Sequence, residues 1–543
     1  MDFAQIYAMA ASRCSDLSNK EYLKVYIGSS ADDPRLNDVL ASFRINIDKL
    51  GIKARAILTG SFGYFDLEPI VLIERPDGST LMYANVTPDM ASELLKGKVR
   101  NEDTKQVLAF CSIGSQRVNG IPHMSDIPLF RLQKRMALRN CGIISPEDVD
   151  HYIALGGGFS GLSQALNTNR ADLTGELKKA GLGGWENCDS GESEKLVVCH
   201  ALDIDPQWAA SRLLLESDPH SILEGILITA LAVGARSCLA YIDPKHSHAI
   251  SRLNKSLQQM REKGLVGNNI MGSNFSCEIE IKGLSDSFIP EVRASLLGFM
   301  GAKRPVPYLL SHSFPVKELA GKNVLAYNAE TMSRVSAILQ TGRSSPLVPG
   351  GQPDGKTRVV SLSGDVVHKY TVEVPFGTTL RSLITDIGGV VAGNKEIKAV
   401  QFGGPTGVFL AAEDLDIEVN SGPLEKIRLL TGSGRLQVFS HDFCPVETTA
   451  IELSYLRALS CGKCLFCREG SLQISEILKE IVQGAGKAQD LDLLIELGKA
   501  MKTGALCALG QDAPDLVLSG IAAFRQDYES HLIQKRCRLK ASD

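Results

Sequence analysis

The segment Ser460-Cys461-Gly462-Lys463-Cys464-Leu465-Phe466-Cys467-Arg468-Glu469-Gly470 has the spacing C-x2-C-x2-C. A compact loop of this kind can aim three thiolates at three corners of one iron–sulfur cubane, and the fourth ligand then comes from far along the chain. Cys507, within GALCALG, follows Cys467 after 39 intervening residues, at the end of a helical stretch that can fold back onto the loop. Zinc is the competing occupant. Zinc sites favour two separated C-x2-C pairs, and three cysteines packed this closely fit a cubane better. Gly462 lets the loop turn tightly, and Lys463 and Arg468 offset the negative charge of a thiolate-ligated cluster. The reading is one [4Fe–4S] cluster on Cys461, Cys464, Cys467 and Cys507. Cys444 and Cys537 lack a comparable setting. With Cys14, Cys111, Cys141, Cys188, Cys199, Cys238 and Cys277 they are nine scattered thiols among the thirteen cysteines. A chain without an export signal keeps such thiols reduced.

The elements that must position this motif belong to a long chain. Its 543 residues exceed one hydrophobic core and suggest about three or four domains. Charged residues make up 22% and the net charge is −4, which excludes a large basic nucleic-acid footprint. The N-terminal MDFAQIYAMAASRC has no basic start and no long apolar run, so no signal peptide is expected. No stretch reaches the roughly 18 apolar residues of a membrane span. The apolar run from Ile222 to Ala235 is short, contains Glu224 and reads as a buried core helix.

Residues 22–98 read as strand, helix, strand, hairpin and helix, a small α/β unit: YLKVYIG, LNDVLASFRINIDKLG, ARAILTG, a hairpin around Pro76-Asp77-Gly78, and PDMASELLKGK. Residues 101–140 read as a connecting arm with a basic end at Arg131, Lys134, Arg135 and Arg139. A larger α/β region follows, with strands KLVVCHA and CLAYID and the helix SILEGILITALAVGA. The Gly-, Pro- and Ser-rich 342–356 reads as a linker. The β-rich stretch after it resembles a ubiquitin-like β-grasp unit, and the last hundred residues read as mostly helical.

SCGKCxxCREG, followed by CALG and FRQDYESHL, resembles the C-terminal domain of the NADH-oxidising flavoprotein subunits of respiratory complex I and of NAD-linked and electron-bifurcating hydrogenases and formate dehydrogenases. SHDFCPVE, VVSLSGDV, EVPFGTTLRSLI, KAVQFGGPTGVFL and LLLESDPHSILEGILITALAVGA extend the resemblance backward over most of the chain. It implies a multidomain α/β plus α protein. The domains are 1–100, a thioredoxin-like unit of the kind that carries [2Fe–2S]; 101–140, the arm; 141–345, a Rossmann-like FMN/NADH-type core; 346–432, a β-grasp soluble-ligand-binding domain; and 433–543, the helical cluster domain.

The family's nucleotide elements are altered here. The glycine-rich GLRGRGGAGFPTG is reduced to Ala180-Gly181-Leu182-Gly183-Gly184-Trp185-Glu186-Asn187, which puts bulk and negative charge where phosphate belongs. NADEGEPGTFKDR reads His200 to Arg212, with acidic groups surviving at Asp203 and Asp205 and with Leu202 and Trp208 foreign to the pattern. The paired glutamates of AYICGEETALL have become Val292 and Arg293, within Ser287 to Leu297. NNVET survives partly as Tyr327-Asn328-Ala329-Glu330-Thr331. Asp203, Asp205, Asn328 and Glu330 are thus the residual nucleotide-site residues. The run Gly156 to Gly161 aligns with a helix start of the family and not with a phosphate loop.

The four places where the N-terminal domain would carry cysteines fall in Val25 to Ala31 and in Thr59-Gly60-Ser61-Phe62-Gly63-Tyr64-Phe65, and neither has a thiol. No [2Fe–2S] cluster is expected there.

The reading implied is an oxidoreductase electron-transfer subunit without NADH dehydrogenase activity and with no catalytic residue of its own. FMN is not favoured. Its partners are other redox subunits of a hetero-oligomeric complex. It has no nucleic-acid partner, and its location is cytoplasmic, with any membrane association through partners. A divergent but active FMN-dependent NAD(P)H dehydrogenase and a structural scaffold are the alternatives.

Overall fold

The computed structural model describes residues 1–98, 109–114, 117–179, 194–203, 205–284, 316–319, 322–340, 356–389, 393, 395–420 and 433–537. Among these, three five-stranded sheets and a terminal helical layer make a mixed α/β molecule.

In the first sheet the order is β2-β1-β3-β4-β5. It comprises β1 (Leu23–Gly28), β2 (Ala54–Thr59), β3 (Ile70–Glu74), β4 (Thr80–Tyr83) and β5 (Ala109–Ile113). β1 and β2 run parallel through the crossover helix α1 (Leu36–Leu50), and β1–β3, β3–β4 and β4–β5 are antiparallel. α1 places Val39, Leu40 and Phe43 on one buried stripe and ends at Gly51 with φ 61°, a left-handed cap that glycine adopts without Cβ strain. β5 lies in the stretch that the sequence pattern assigns to the arm, and it adds an edge to the sheet by pairing with β4.

The second sheet has order β8-β7-β6-β10-β9. Its strands are β6 (Glu194–Ala201), β7 (Ser237–Ile242), β8 (Glu278–Gly283), β9 (Val316–Leu319) and β10 (Lys322–Asn328). β10, β6, β7 and β8 run parallel, and β9 is antiparallel to β10. α2 (Ala210–Ser217) and α3 (Pro219–Val233) follow β6, and α4 (Ala329–Leu339) follows β10. α3 crosses α4 so closely that a Cβ on Gly225 would lie 1.8 Å from the Met332 carbonyl oxygen. Glu224 on α3 is buried as its apolar run demands. Its carboxylate accepts from Tyr152 Oη (2.5 Å), Phe159 N (3.0 Å) and Leu162 N (3.0 Å). Within the run 156–161 the Phe159 amide thus serves an internal carboxylate, and the Gly156 and Gly158 amides donate to the His151 and Tyr152 carbonyls.

The third sheet has order β12-β11-β15-β13-β14, from β11 (Thr357–Gly364), β12 (Thr371–Pro375), β13 (Ile397–Phe402), β14 (Val408–Ala411) and β15 (Arg435–Ser440). β11 and β15 are parallel, and the other pairs are antiparallel. Four helices close the chain: α5 (Pro445–Ala458), α6 (Leu465–Val482), α7 (Asp490–Gly504) and α8 (Ala508–Ile533). No helix among the described residues is long and apolar enough to cross a membrane. The expected segments 180–187, 287–297 and 342–355 lie outside the described residues.

The first and third sheets share a core. Phe62 and Tyr64, from the turn after β2, are buried with Val360, Val372 and Phe402. Thr371 N donates to the Gly63 carbonyl (2.7 Å), and the Tyr64 hydroxyl accepts from Gln133 Nε2 (2.9 Å) and Arg135 Nη1 (3.1 Å) of the arm. Glu373 on β12 accepts from Met136 N (2.6 Å) and Leu138 N (3.0 Å).

Candidate metal centre and residual nucleotide site

The helical layer brings two helix N-termini together at the cysteine loop. Cys464 is the N-cap of α6, and its Sγ accepts from Cys467 N at 3.4 Å. Cys507 is the N-cap of α8. Exposed N–H groups and aligned peptide dipoles at such ends favour anionic sulfur. Gly510, in the first turn of α8, sits against Cys467: a Cβ there would lie 2.6 Å from Ala505 Cβ, 3.0 Å from Cys467 Cβ and 3.4 Å from Cys467 Sγ. Gly504, ending α7, packs on the Phe466 ring. Glycines thus bring the start of α8 to the loop that carries the other three cysteines.

Gly462 has φ 69°, the left-handed turn expected of it. Ser460 Oγ lies 3.3 Å from Cys467 Sγ and accepts from Gly462 N at 3.3 Å. Arg468 folds back, donating to the Gly462 carbonyl (3.1 Å) and pairing with Glu469 (2.8 Å). Lys463 is exposed. Cys464, Cys467 and Cys507 are buried and Cys461 is half-buried. Burial pushes the Cys467 thiol up from its ordinary value, with Cys464 and Cys461 adding to the effect. Four sulfurs on one loop and one helix start, with N–H and hydroxyl donors around them, fit a [4Fe–4S] cluster.

The acidic survivors of the nucleotide pattern point in different directions. Asp203, just past β6, is half-buried, accepts from Ser211 Oγ (3.0 Å) and is pushed up to about 7 by desolvation, with Asp205, Asp243 and Glu330 nearby. Asp205 forms an ion pair with Arg435 Nε (2.8 Å) and accepts from Ser433 Oγ (3.1 Å) and Gln207 N (3.0 Å). Both side chains of that pair are 2% exposed. Gly404 leaves the space, since a Cβ there would sit 2.3 Å from Asp205 Oδ2. Arg435 also reaches Glu452 of α5 (3.2 Å) and donates to Gln207 Oε1 (2.7 Å). Asp205 is therefore an inter-element tie. Asn328 caps α4, its Oδ1 accepting from Thr331 N (2.9 Å), and Glu330 is half-buried in the same first turn. Trp208 is buried against Gly434. Asp203 and Glu330 lie near one another, with Asp205 and Asp243 also close to Asp203.

In the N-terminal domain, serines on the two loops meet one carboxylate. Glu68 accepts from Ser30 N (2.8 Å), Ser30 Oγ (2.9 Å), Ser29 Oγ (3.3 Å) and Ser61 Oγ. It is buried, and burial raises its pKa. Phe62 fills the remaining space, in contact distance of where Cβ atoms on Gly28 and Gly142 would stand. The turn also abuts α2, since a Cβ on Gly60 would lie 2.4 Å from Ser217 Cα.

Two groupings escape sequence reasoning. The Asp205–Arg435 pair spans the nucleotide-type core and the third sheet. Cys444 and Cys537, isolated thiols by their spacing, instead come together with His531. Neither grouping has a local pattern that signals it.

These features are those of an iron–sulfur electron-transfer subunit, and comparison with known proteins gives its family. Residues 449–531 match the NADH-ubiquinone oxidoreductase-F iron-sulfur binding region, and residues 184–337 match the Nuo51 FMN-binding domain. The chain is 36% identical over 418 residues to the NADP-reducing hydrogenase subunit HndC of Solidesulfovibrio fructosivorans, covering 75% of this chain and 85% of that one. It is 27% identical over 395 residues to the F subunit of the NADH-quinone oxidoreductase of Aquifex aeolicus, covering 70% and 91%. An NAD+-reducing [NiFe]-hydrogenase in its H2-reduced state has a chain of the same fold, with TM-score 0.60 at 19% identity over 97% of this chain and 91% of that one. The chain belongs to the family of NADH-oxidising flavoprotein subunits of complex I and NAD(P)-linked hydrogenases. It is an oxidoreductase-type, electron-transport protein with a 4Fe–4S domain and an FMN-binding-type domain.

Proposed function

We propose that this chain is an electron-transfer subunit of a multisubunit oxidoreductase, with one [4Fe–4S] cluster on Cys461, Cys464, Cys467 and Cys507 and without NADH oxidation of its own. A cluster held there supplies one-electron transfer. The observation that carries the reading is the meeting of the Cys464 and Cys507 helix caps, with Cys467 seated on Gly510. The chain's own part is to surround the sulfurs with helix N–H groups and the Ser460 hydroxyl, and to keep three of the four cysteines buried.

Loss of flavin chemistry rests on Asp205, whose carboxylate is committed to Arg435, and on the altered elements at 180–187 and 287–297. In the same reading 1–100 is a thioredoxin-like domain whose [2Fe–2S] place is taken by Glu68 and its serines. Residues 141–345 are a Rossmann-like core, 346–432 a β-grasp domain and 433–543 the cluster domain. HndC and the Aquifex aeolicus relative are each one subunit of a larger enzyme, so the partners proposed are redox subunits of a hydrogenase- or dehydrogenase-type complex.

A second reading, an active FMN-dependent NAD(P)H dehydrogenase, draws on the FMN-binding-domain match and on the shared acidic region of Asp203 and Glu330. Anaerobic isolation of the chain with its partners, followed by iron, sulfide and flavin analysis of the separated subunit, decides between them. The expected content is about four iron and four sulfide, no stoichiometric FMN, and no bleaching by NADH. Stoichiometric FMN bleached by NADH overturns the proposal in favour of the dehydrogenase.

A further inference from the structure

Arg44 on α1 and Arg55 on β2 line a cavity of about 260 Å3 together with Arg252 and His151. Arg252 belongs to the helix Ser247–Glu262 and His151 to the helix Val149–Ala154, both in the nucleotide-type core. The cavity therefore lies where the first sheet meets that core. We infer that it binds a small phosphate monoester, which ties the N-terminal unit to the core through these arginines.

Charge favours an anion. Arg44 and Arg55 are exposed, and neither makes an ion pair or a side-chain hydrogen bond among the described residues. The acidic groups on the same wall are already engaged. Glu147 pairs with Lys255 (2.6 Å) and lies 3.7 Å from Arg252 Nε. Asp148 caps its helix by accepting from Asp150 N (2.9 Å), and its other oxygen lies 3.6 Å from His151 Nε2. Arg252 and Lys255 offset these two carboxylates, so the charges of Arg44 and Arg55 are left over. A phosphate monoester, with about −1.5 to −2 charge at pH 7, matches them.

The donors suit phosphate as well. Guanidinium groups are planar forks that grip phosphate oxygens in pairs. His151 Nδ1 is buried with no hydrogen-bond partner among the described residues. Burial lowers the His151 pKa, Asp148 raises it, and Arg55 lowers it again, which places the Arg55 charge near the ring. A bound dianion favours the imidazolium, whose two N–H groups then serve Asp148 and the phosphate. Among the described residues β2 is the edge of its sheet, and its Ala56 and Thr59 line the cavity. Such an edge keeps a row of backbone N–H groups unpaired. Leu40 and Pro146 give the wall an apolar side for the ester's organic part. The volume falls below the roughly 300–1,000 Å3 of drug-sized sites, so that part is small.

Isothermal titration calorimetry of the anaerobically isolated full chain with phenyl phosphate, at low chloride, tests the proposal. The expected result is one site per chain with a Kd of about 1 mM or tighter. Arg44→Ala and Arg55→Ala change exposed side chains that the fold does not need, and each should weaken binding about tenfold or more. Arg117→Ala, whose pair with Asp126 lies outside the cavity, should not. At ten times the wild-type Kd, phenyl phosphate should slow proteolytic release of the N-terminal unit about elevenfold in the wild type and only about twofold in the two cavity variants. Succinate bound as tightly as phenyl phosphate would assign the cavity to carboxylates and overturn the inference. So would unchanged affinity in both cavity variants, or no saturable binding to the wild type.

Discussion

At the residue scale, local spacing and distant pairing part company. The Cys461–Cys467 loop is legible because its ligands lie within one turn of chain. The Arg435 tie is not, because its partners stand far away in sequence and only packing brings them together. Cys464→Ala and Cys507→Ala should each abolish the visible absorption and EPR signal of the cluster, whereas Cys111→Ala, on β5, should leave both intact. An unchanged spectrum for Cys507→Ala moves the fourth ligand elsewhere. Asp205→Ala leaves Arg435 buried with one carboxylate fewer and should cost about 3 kcal/mol in chemical unfolding. Asp203 adds a pH signature. Its folded value of about 7 stands above the unfolded value of about 3.9. Its contribution to stability is fully present below that unfolded value and is lost as pH rises through the folded one. Asp203→Asn should therefore gain on the wild type by about 2–4 kcal/mol between pH 4 and pH 8, read as the shift in denaturation midpoint. A pH-independent difference would mean that Asp203 is ionised in the fold.

At the scale of elements, strongly periodic segments are readable and edge strands are not. α1 carries an amphipathic stripe, and the hairpin β3–β4 turns at Pro76-Asp77-Gly78 as its residues predict. β5, with the sequence AFCSI, is short and lacks alternation, so its strand character depends on β4 lying beside it. After Thr379 the chain turns helical over Leu380–Ser382, then widens into a π-type turn over Leu383–Ile387. The closeness of α6 and α8 yields a sharper expectation. Gly510→Ala sets a methyl 2.6 Å from Ala505 Cβ and 3.0 Å from Cys467 Cβ. The backbone of α8 must move away, and bound iron should fall by at least about half. Full iron occupancy in that variant would show that the loop and α8 do not share a site.

At the scale of the molecule, the composition points to several domains, and what it does not convey is how tightly they interlock. The N-terminal turn packs on α2 and on the third sheet at once, so Gly60→Val, facing Ser217 Cα at 2.4 Å, should loosen the N-terminal domain and speed its release by limited proteolysis. An unchanged cleavage rate would mean that other contacts alone hold it. Asp32→Ala removes a largely exposed pair with Arg212 (2.9 Å) and should cost less than about 1 kcal/mol. The Arg435 tie reaches further, into the order in which the protein comes into being. Its guanidinium is satisfied by Asp205 from the early core and by Glu452 from α5, translated only after β15. Domains fold from the N-terminus as synthesis proceeds. On that order the core precedes β15, and Arg435 then gives α5 a paired group to settle against. Cys507 emerges later still. In the proposed reading metal loading follows the closing of this tie, and a failure in the early core should lower the iron content of a domain more than two hundred residues away.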